Sequence, residues 1–585
     1  MTIRCRRVLL LSSFGLLILP NGCTSPLTRD LDQALREQMA TTASAYQQAV
    51  EDTATVEFSQ HKSRVRKGLN QQRINELEAM SGLTANATQT MDLGPDLSGA
   101  NSRPAVHLTL QQAIELAIQN NRLAKLSQLV PAANQTRLTQ AEAVFDAIFF
   151  SDFNFSATDT PQPDTRLGVS RAFGAVNQNT RSLQTGIRKQ LTSGGQIAVS
   201  TTITRDHRSP SFFDVKTTFP TVVDFTIEQP LLRNFGQDVT RGQILLSQNA
   251  LDQSMADLKQ QLLDVAAGTE QAYWQLVFAR ESLLIRQRSG GRGKKSLRQM
   301  ELRADYDADS VQVSETRADV MERQLQVIQA WRAMRDATDQ LKQLIYADDL
   351  PISGERLIIP VDKMVDNPFS FNLLDAVTDA LQQRPDLQRA LSQISDATIR
   401  QRVADNQRLP LMDLSATVRY NGLNVDATHD SYDNLGEGDF IDYLMRLQVE
   451  IPIGNRQAEA QFAESKINRR GSVLNYQVVA QNAIVEVKSA LRRIGADYAS
   501  ISTARDARLA SADVVRAVRV QELAGIQLTP AFIDRKLRNE ESLANNEVRE
   551  IRALIDYNIA IALYYRAIGT LLNQYGIVLQ EEPTE

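Results

Sequence analysis

The sequence predicts a mainly α-helical fold with a membrane β-barrel, built from two structural repeats in which long coiled-coil helices alternate with strands. Three observations lead to this fold class. Segments of the first half return in the second half, apolar residues keep a heptad period over long stretches without proline, and a period of two replaces the heptad between these stretches. Helices of this length exceed what a globular core can use, so a single globular core is not expected.

Composition narrows the class of protein. The 585 residues include 64 basic and 69 acidic side chains, a formal charge of -5, so no basic field is available for nucleic acid. Mean hydropathy is -0.29. Beyond the N-terminus no stretch approaches the roughly 20 apolar residues of a membrane helix. A polytopic helical membrane protein is therefore excluded.

The N-terminus has the layout of a secretory signal. Three arginines among the first seven residues precede an apolar core from Val8 to Leu19, and Cys23 follows. This resembles a bacterial lipoprotein signal, in which the thiol of Cys23 takes the lipid, although Pro20 stands where leucine is usual. The alternative is an ordinary signal peptide with an incidental free Cys23. Cleavage before Cys23 would remove Cys5, the only other cysteine.

The internal repeat is visible in several segments. "LTLQQAIELAIQNN", Leu108 to Asn121, returns as "FNLLDAVTDALQQR", Phe371 to Arg384, and "IEQPLL" returns as "VEIPIG" with Pro452 in the place of Pro230. An apolar seam at coiled-coil spacing also occurs twice in register. In the first copy it comprises Leu258, Leu262, Val265, Thr269, Ala272, Leu276, Ala279 and Leu283, and in the second Ile484, Val487, Leu491, Ile494, Tyr498 and Ile501.

Proline placement sets the helix lengths. No proline lies between Pro230 and Pro351, or between Pro452 and Pro530. The segment from about Arg456 to Leu523 therefore predicts one helix of ~100 Å, wound on others in a coiled coil or a tube. Short breaks at "ADYDADS" and "AGIQLTP" predict the tips of two helical hairpins.

Strands are predicted between the helices. "MDLSATVRYN" and "YLMRLQVEIPI" alternate apolar and polar residues, as do residues 149–156 and 223–228. Strands of about ten residues with one apolar face suit a membrane β-barrel with a wet lumen, although a half-buried sheet in a soluble protein alternates in the same way. A further alternating pair flanks Ser193-Gly194-Gly195 and predicts an extra hairpin near residues 182–205. This makes six candidate strands.

This order of elements resembles the bacterial outer-membrane efflux protein family, the TolC-like channels. "LTLQQAIELAIQNN", "LLDAVTDALQQRPDLQRA", "VEIPIGNRQAEA" and "YNIAIALYYRAIGTLL" look like recurring segments of that family, and the resemblance spans about Leu108 to Leu572. It implies a homotrimer in which strands of three chains close one barrel and the helices form an α-barrel tunnel through the periplasm. The family usually has four strands per chain. Six candidates therefore mean a wider barrel or a hairpin outside the membrane, and we favour the hairpin outside the membrane.

These readings divide the chain into six parts. They are a signal peptide (1–22), an N-terminal extension and linker of unassigned role (23–105), repeat one (106–345), a connecting segment (346–370), repeat two (371–572) and a C-terminal tail (573–585).

The resemblance implies an outer-membrane exit duct of a tripartite efflux or type I secretion system. Such a duct is a passive conduit from periplasm to exterior. Its expected partners are a periplasmic adaptor (membrane fusion protein), an inner-membrane pump and outer-membrane lipid. The alternative is a lipid-anchored periplasmic coiled-coil scaffold. Cargo class is left open.

The hairpin tips carry the candidate site residues. In the family these turns hold a glycine followed by an apolar residue, which Gly525 and Ile526 match, and Asp305 and Tyr306 occupy the aligned place in the first repeat. We expect Tyr306, Gly525 and Ile526 to contact the adaptor.

Asp305, Asp307 and Asp309 recur at every second residue of the first tip. In a trimer they could form a cation-attracting ring at the periplasmic pore mouth, and the alternative is a solvated acidic turn. A calcium loop is disfavoured because Ser310 replaces the required glycine and Thr316 the required glutamate.

Motifs for catalysis are not apparent in the sequence. The four histidines, at 61, 107, 207 and 429, lie in separate segments without ligand spacing. "SGGRGKK", Ser289 to Lys295, lacks phosphate-loop spacing, and we interpret it as a surface break in the helical sequence. We therefore predict a protein that is not an enzyme and needs no cofactor or metal.

Overall fold

The computed structural model describes residues 55–58, 63–83, 91–92, 105–163, 173–209, 216–303, 310–524 and 529–577. The chain forms two compact units. The first, here called the sheet unit, contains Gln135–Ala250 and Gln393–Val473. The second, the helical unit, contains the described residues of Thr42–Asn134, Leu251–Ser392 and Leu474–Glu585.

The described residues form the following elements. The strands are β1 Val56–Glu57, β2 Val106–Leu108, β3 Ala147–Pro163, β4 Phe173–Gln190, β5 Gln196–Ser209, β6 Thr217–Pro230, β7 Ile358–Pro360, β8 Ser370–Phe371, β9 Leu411–Asn424 and β10 Ile441–Glu450. The α-helices are α1 Arg64–Gly68, α2 Gln71–Ser81, α3 Leu110–Asn120, α4 Arg122–Glu142, α5 Gln237–Thr240, α6 Gly242–Glu301, α7 Ser310–Ile345, α8 Leu373–Gln383, α9 Pro385–Asn406, α10 Thr428–Glu437, α11 Arg456–Leu523, α12 Pro530–Ala567 and α13 Leu571–Gln574. A 3-10 turn, Ala143–Phe145, separates α4 from β3.

The sheet unit contains one six-stranded antiparallel sheet with the order β10-β9-β6-β5-β4-β3. All six predicted strands lie in it. The extra hairpin is β4 and β5, which pair with each other and with β3 and β6. The extra hairpin therefore lies within the same sheet as the other four strands, which the sequence could not predict because alternation along a strand indicates its two faces but not its neighbours. That this hairpin lies outside the membrane stays a prediction.

The long helices predicted from the absence of proline are present, and most of their residues belong to the helical unit. Helix α6 has 60 residues, and α11 has 68 residues with the bounds that the sequence indicated. Every residue of both predicted coiled-coil seams is buried. The heptad period thus predicted correctly which side of each helix is buried.

The two halves begin in the same way. Thr109 caps α3 by accepting a hydrogen bond from the Gln112 amide at 3.2 Å. Asn372, 263 residues later (372 less 109), caps α8 by accepting one from the Leu374 amide at 2.8 Å. Polar caps satisfy amides that an α-helix leaves unpaired at its start, so the repeat preserves a local folding signal as well as the apolar pattern.

Within the described parts of the chain, no helix is both long enough and apolar enough to span a membrane.

Candidate functional site

The six-stranded sheet has one apolar face that crosses every strand. Pairing places one residue of each strand in a single row, and all six are apolar or aromatic: Phe149, Ile187, Val199, Phe225, Val418 and Tyr443. Phe149 and Tyr443, on the two edge strands, are 70% and 78% exposed. Exposed apolar rows this wide require an apolar environment or a partner.

The opposite face of the sheet is mostly polar. The next row on that face comprises Phe150, Gly186, Ser200, Asp224, Arg419 and Asp442, so it is polar on β5, β6, β9 and β10 but aromatic on β3. Arg419 Nε lies 2.7 Å from Asp224 Oδ1 in an ion pair. One face therefore suits hydrocarbon and the other suits water, which is the division that a membrane strand needs.

A tight turn holds the β4–β5 hairpin in register. Gly194 has a φ of +95°, and a Cβ at this position would lie 2.2 Å from the Asn234 carbonyl oxygen. The Leu191 amide donates to the Gly195 carbonyl at 2.7 Å. Only glycine fits both the backbone angle and the close approach at residue 194.

Helix α10, in the β9–β10 connection, was not predicted from the sequence. It packs on the sheet at Gly422, where a Cβ would lie 2.2 Å from the Ser431 carbonyl oxygen. The hydroxyls of Tyr432 and Thr201 are 3.0 Å apart and share a hydrogen bond. The available signal was Gly438, which ends the helix with a left-handed φ of 69°.

Buried charges join the helices of the helical unit. Arg323 on α7 is 2% exposed, and its Nη1 lies 3.2 Å from Glu540 Oε2 on α12. Arg288 Nη2 on α6 lies 2.9 Å from Glu547 Oε2, also on α12. Burial raises the pKa of Glu547, and the positive charges of Arg288 and Arg292 oppose that rise.

The glycine-rich segment "SGGRGKK" is helical, so its interpretation as a break in the helix was wrong. Helix α6 runs through it without interruption. A Cβ on Gly293 would lie 3.0 Å from Arg323 Cδ, and one on Gly290 would lie 3.6 Å from Val327 Cγ2. These two glycines face α7, and Gly293 leaves the space in which Arg323 crosses to α12.

The N-terminal extension is bound to α11 and α12. Leu77 of α2 is fully buried in a cluster with Leu509, Ala512 and Leu543. Arg508 Nη2 lies 2.7 Å from Glu78 Oε2, and Arg508 Nη1 donates to Ser81 Oγ at 2.8 Å. No role could be assigned to this segment from the sequence, and the structure shows that α2 is part of the packing of the second helical hairpin, formed by α11 and α12.

The sequence-predicted site residues fall outside the described ranges. These are Cys23 and the tip residues Asp305, Tyr306, Asp307, Asp309, Gly525 and Ile526. Their roles stay predictions. Among the residues that the structure describes, no group of three or more His, Cys, Asp or Glu side chains could hold a metal ion.

Comparison with known proteins finds a partial family match and a similar fold in solved outer-membrane channels. Residues 376–528 match the family model described as outer membrane efflux protein. No curated protein matches the sequence. The resemblance indicated by the sequence motifs is confirmed by this match and by the solved structures.

Three of the similar solved structures illustrate the fold. The CmeC outer membrane channel of Campylobacter jejuni has a TM-score of 0.57 and 17% identity over 83% of this chain and 93% of that chain. The outer membrane protein VceC of Vibrio cholerae has a TM-score of 0.54 and 16% identity over 79% of this chain and 96% of that chain. The MtrE outer membrane channel of Neisseria gonorrhoeae has a TM-score of 0.52 and 16% identity over 88% of this chain and 99% of that chain.

Proposed function

We propose that the chain is the exit duct of a tripartite efflux or type I secretion system, a passive channel from periplasm to exterior in the cell outer membrane. The observation that carries this proposal is the sheet with one apolar face that crosses all six strands and an opposite face that is mostly polar. The likeness to outer membrane channels supports it. A duct of this kind needs no catalytic group, because its partners supply the energy.

The sheet edges favour a ring of identical chains. Strands β3 and β10 each have a neighbour on one side only, and unpaired backbone groups are very costly in hydrocarbon. Because the sheet has an even number of antiparallel strands, β3 and β10 run in opposite directions. Copies related by rotation can therefore pair β10 of one with β3 of the next, and a homotrimer would close a barrel of 18 strands (3 × 6).

The remaining assignments complete the proposed duct. Cleavage after residue 22 would leave Cys23 as the lipid-bearing N-terminus, so the channel would be anchored by acyl chains as well as by its barrel. The two repeats, 106–345 and 371–572, would each contribute strands and one helical hairpin. The adaptor would meet the tips at Tyr306, Gly525 and Ile526, and Asp305, Asp307 and Asp309 would lie at the periplasmic mouth. The inner-membrane pump would pass cargo to this assembly.

Purified protein in a planar lipid bilayer tests the channel. We expect stepwise ion conductance, together with a trimer-sized band from outer membranes that boiling in detergent converts to monomer. A lipid-anchored periplasmic scaffold would give neither. Extraction of the chain from membranes by cleavage of its lipid anchor alone would overturn the duct.

A further inference from the structure

Two arginines lie side by side on the apolar face of the sheet. Arg181 of β4 and Arg205 of β5 are direct partners in the antiparallel register, and both side chains are exposed. They share the face of Ile187 and Val199, because residues an even number apart along a strand point to the same side. Like charges directly opposite each other destabilise a sheet. This arginine pair therefore costs stability unless an anion lies against the two guanidinium groups.

Each arginine is stacked on a phenylalanine. Arg181 Cζ lies 5.6 Å from the ring centre of Phe155 on β3. Arg205 Cζ lies 5.9 Å from the ring centre of Phe219 on β6. Such cation–π contacts hold a guanidinium in place and leave its charge intact. Four neighbouring strands thus present the order Phe-Arg-Arg-Phe, with two fixed positive charges in the middle.

Neither arginine forms an ion pair with any residue that the structure describes. The charged groups on the opposite face at the same end of the sheet are bound within the sheet. Asp206 Oδ1 accepts hydrogen bonds from Thr180 Oγ1 at 2.9 Å and from Gln178 Nε2 at 3.0 Å. Arg208 Nη2 donates to Gln178 Oε1 at 2.9 Å. The arginine pair is therefore unlike its neighbours, since its charge is available to a molecule outside the chain.

The arginine pair marks the point at which the apolar face becomes polar. Toward the β4–β5 turn, the next partner pairs on this face are Leu183–Ile203, Thr185–Thr201 and Ile187–Val199. In the other direction the next pair is Asn179–His207. On a membrane strand, a change of this kind occurs where hydrocarbon gives way to lipid headgroups.

The length of the stretch below the pair fits one membrane thickness. Lys189 lies on the same face of β4, eight residues from Arg181 (189 less 181). At ~3.3 Å per residue the two are about 26 Å apart along the strand, or roughly 20 Å across the membrane at a strand tilt of about 40°. The apolar band of a membrane barrel is about 25 Å tall. Lys189 and Arg181 therefore lie near its two borders.

The arginine pair lies at the end of the sheet that does not continue into helices. Ala147, the first residue of β3, pairs with Lys189 and follows α4 through the 3-10 turn Ala143–Phe145. The opposite strand ends are joined by the β3–β4, β5–β6 and β9–β10 connections. In the duct proposed above the helices are periplasmic, so the end with the arginine pair reaches the outer leaflet.

Helix α10 supports a border at this end of the sheet. It packs on the same face at Gly422, two residues before Asn424, which pairs with Phe219. Its sequence, "THDSYDNLGE", is mostly polar. Polar and charged side chains are costly in hydrocarbon, so a helix of this composition belongs among headgroups or in water.

We propose that the arginine pair binds the phosphate group of an outer-leaflet lipid, whose acyl chains lie along the apolar rows below it. This inference rests on the duct proposed above and identifies a lipid that the duct holds. A lipid fits both parts of the surface, because its anionic head meets Arg181 and Arg205 while its tails meet residues such as Leu183. The planar guanidinium donates two parallel hydrogen bonds to phosphate oxygens, and two such groups side by side can hold one phosphate between them.

Native mass spectrometry of the full-length protein in neutral detergent tests the site. The probe is diphosphoryl lipid A, and the matched lipid is lipid A from which both phosphates have been removed. We expect the wild type to retain the phosphorylated lipid at concentrations at which the phosphate-free lipid is not bound. Arg181→Gln with Arg205→Gln should weaken this binding by roughly tenfold or more, because the contacts of both guanidinium groups with the phosphate are lost.

Two further variants control for charge and for folding. Arg208→Gln removes the same charge from the same strand but on the opposite face, and it should leave lipid A binding unchanged. Arg181→Lys with Arg205→Lys keeps both charges and should bind at least several times more tightly than the double Gln variant. Both arginines are exposed, so all of these variants should still give the trimer-sized band.

Several results would overturn the lipid site. They are equal binding of lipid A by the wild type and the double Gln variant, a double Lys variant that binds no better than the double Gln variant, and an equal loss with Arg208→Gln. Inorganic phosphate that binds as tightly as lipid A would assign the pair to a soluble anion. Loss of the trimer-sized band in the double Gln variant would assign it to contact between copies of the chain.

Failure of the lipid site and failure of the duct are distinguishable. A trimer-sized, conducting wild type that does not prefer phosphorylated lipid A would refute the lipid site and leave the duct in place. A wild type that neither conducts nor assembles would refute the duct, and the outer-leaflet site with it.

Discussion

The two helical hairpins each bury an arginine, but they neutralise it differently. In the first hairpin, formed by α6 and α7, Arg323 is paired with Asp319 on its own helix at 2.7 Å and with Glu540 on α12 at 3.2 Å. In the second, formed by α11 and α12, Arg508 is paired with Glu550 on α12 and with Glu78 on α2. Long helices alone neutralise Arg323, whereas the N-terminal extension completes the environment of Arg508.

This difference shows that α2 belongs to the second hairpin. A buried guanidinium is tolerated only when its hydrogen bonds and charge are satisfied, and two of the groups that satisfy Arg508 are Glu78 and Ser81 of the extension. Leu77 of the same helix is buried with Leu509, Ala512 and Leu543 of α11 and α12. The first hairpin needs no comparable segment, because α12 itself supplies Glu540 to Arg323.

The largest expected effect comes from removing the charge of Arg323. Arg323→Met should destabilise the protein by about 3–5 kcal/mol, because Glu540 and Asp319 lose their buried partner. Arg508→Met should cost less, since Glu550 keeps Arg505 at 2.7 Å. Denaturant unfolding of the detergent-solubilised protein measures both. An equal or larger loss for Arg508→Met would contradict the comparison.

A smaller effect is expected from loosening α2. Leu77 is fully buried, so Leu77→Ala should cost about 2–3 kcal/mol of local packing and release α2 from α11. Limited proteolysis should then cut the chain near residues 63–83 at least several times faster. Leu83→Ala is the matched control, because Leu83 is 43% exposed. Equal cleavage rates for the two variants would show that Leu77 does not hold the extension.

The sequence was informative where a pattern is local and periodic. The heptad seams gave the buried side of α6 and α11, and the lack of proline gave the length of α11. The docking of α2 could not be predicted, because its partner Arg508 lies more than 400 residues away and the sequence of a short helix does not specify what covers it. Gly290, Gly291 and Gly293 misled for a related reason, since glycine weakens an isolated helix but permits close packing between two helices.

The buried glutamates extend the comparison to pH. Glu550 lies between two arginines, whereas Glu270 on α6 is bound by neutral donors, Tyr575 Oη at 2.8 Å and Trp274 Nε1 at 3.3 Å. Burial therefore raises the pKa of Glu270, and the hydrogen bonds from Tyr575 and Trp274 reduce the rise. A raised folded-state pKa means that the folded protein binds this proton more tightly than the unfolded chain does.

Tighter proton binding by the folded protein sets the direction in which stability changes with pH. Stability from Glu270 should increase as pH falls through its raised pKa, level off near the ordinary value of 4.5, and be lost again as pH rises. Each unit of pKa difference corresponds to about 1.4 kcal/mol. Glu270→Gln should remove this component, so the difference in unfolding free energy between wild type and variant should change between pH 7 and pH 5. A pH-independent difference would contradict the assignment.

The smallest expected effect separates two neighbouring glycines of α6. Nothing lies within 4 Å of a Cβ placed on Gly291, so Gly291→Ala should stabilise the helix by about 0.5–1 kcal/mol through its higher helix propensity. At Gly293 the new methyl group would lie 3.0 Å from Arg323 Cδ, and Arg323 cannot move freely because it is held by Glu540 and Asp319. Gly293→Ala should therefore leave the free energy of unfolding unchanged or lower it by up to about 1 kcal/mol.

In the Arg323→Met background the steric conflict at residue 293 should ease, because an unpaired Met side chain can shift. Gly293→Ala should then stabilise the protein nearly as much as Gly291→Ala does. Denaturant unfolding of the single variants Gly291→Ala, Gly293→Ala and Arg323→Met and of the double variant Gly293→Ala with Arg323→Met measures these effects. Equal gains at both glycines in the wild-type background would show that Gly293 does not make room for the buried arginine.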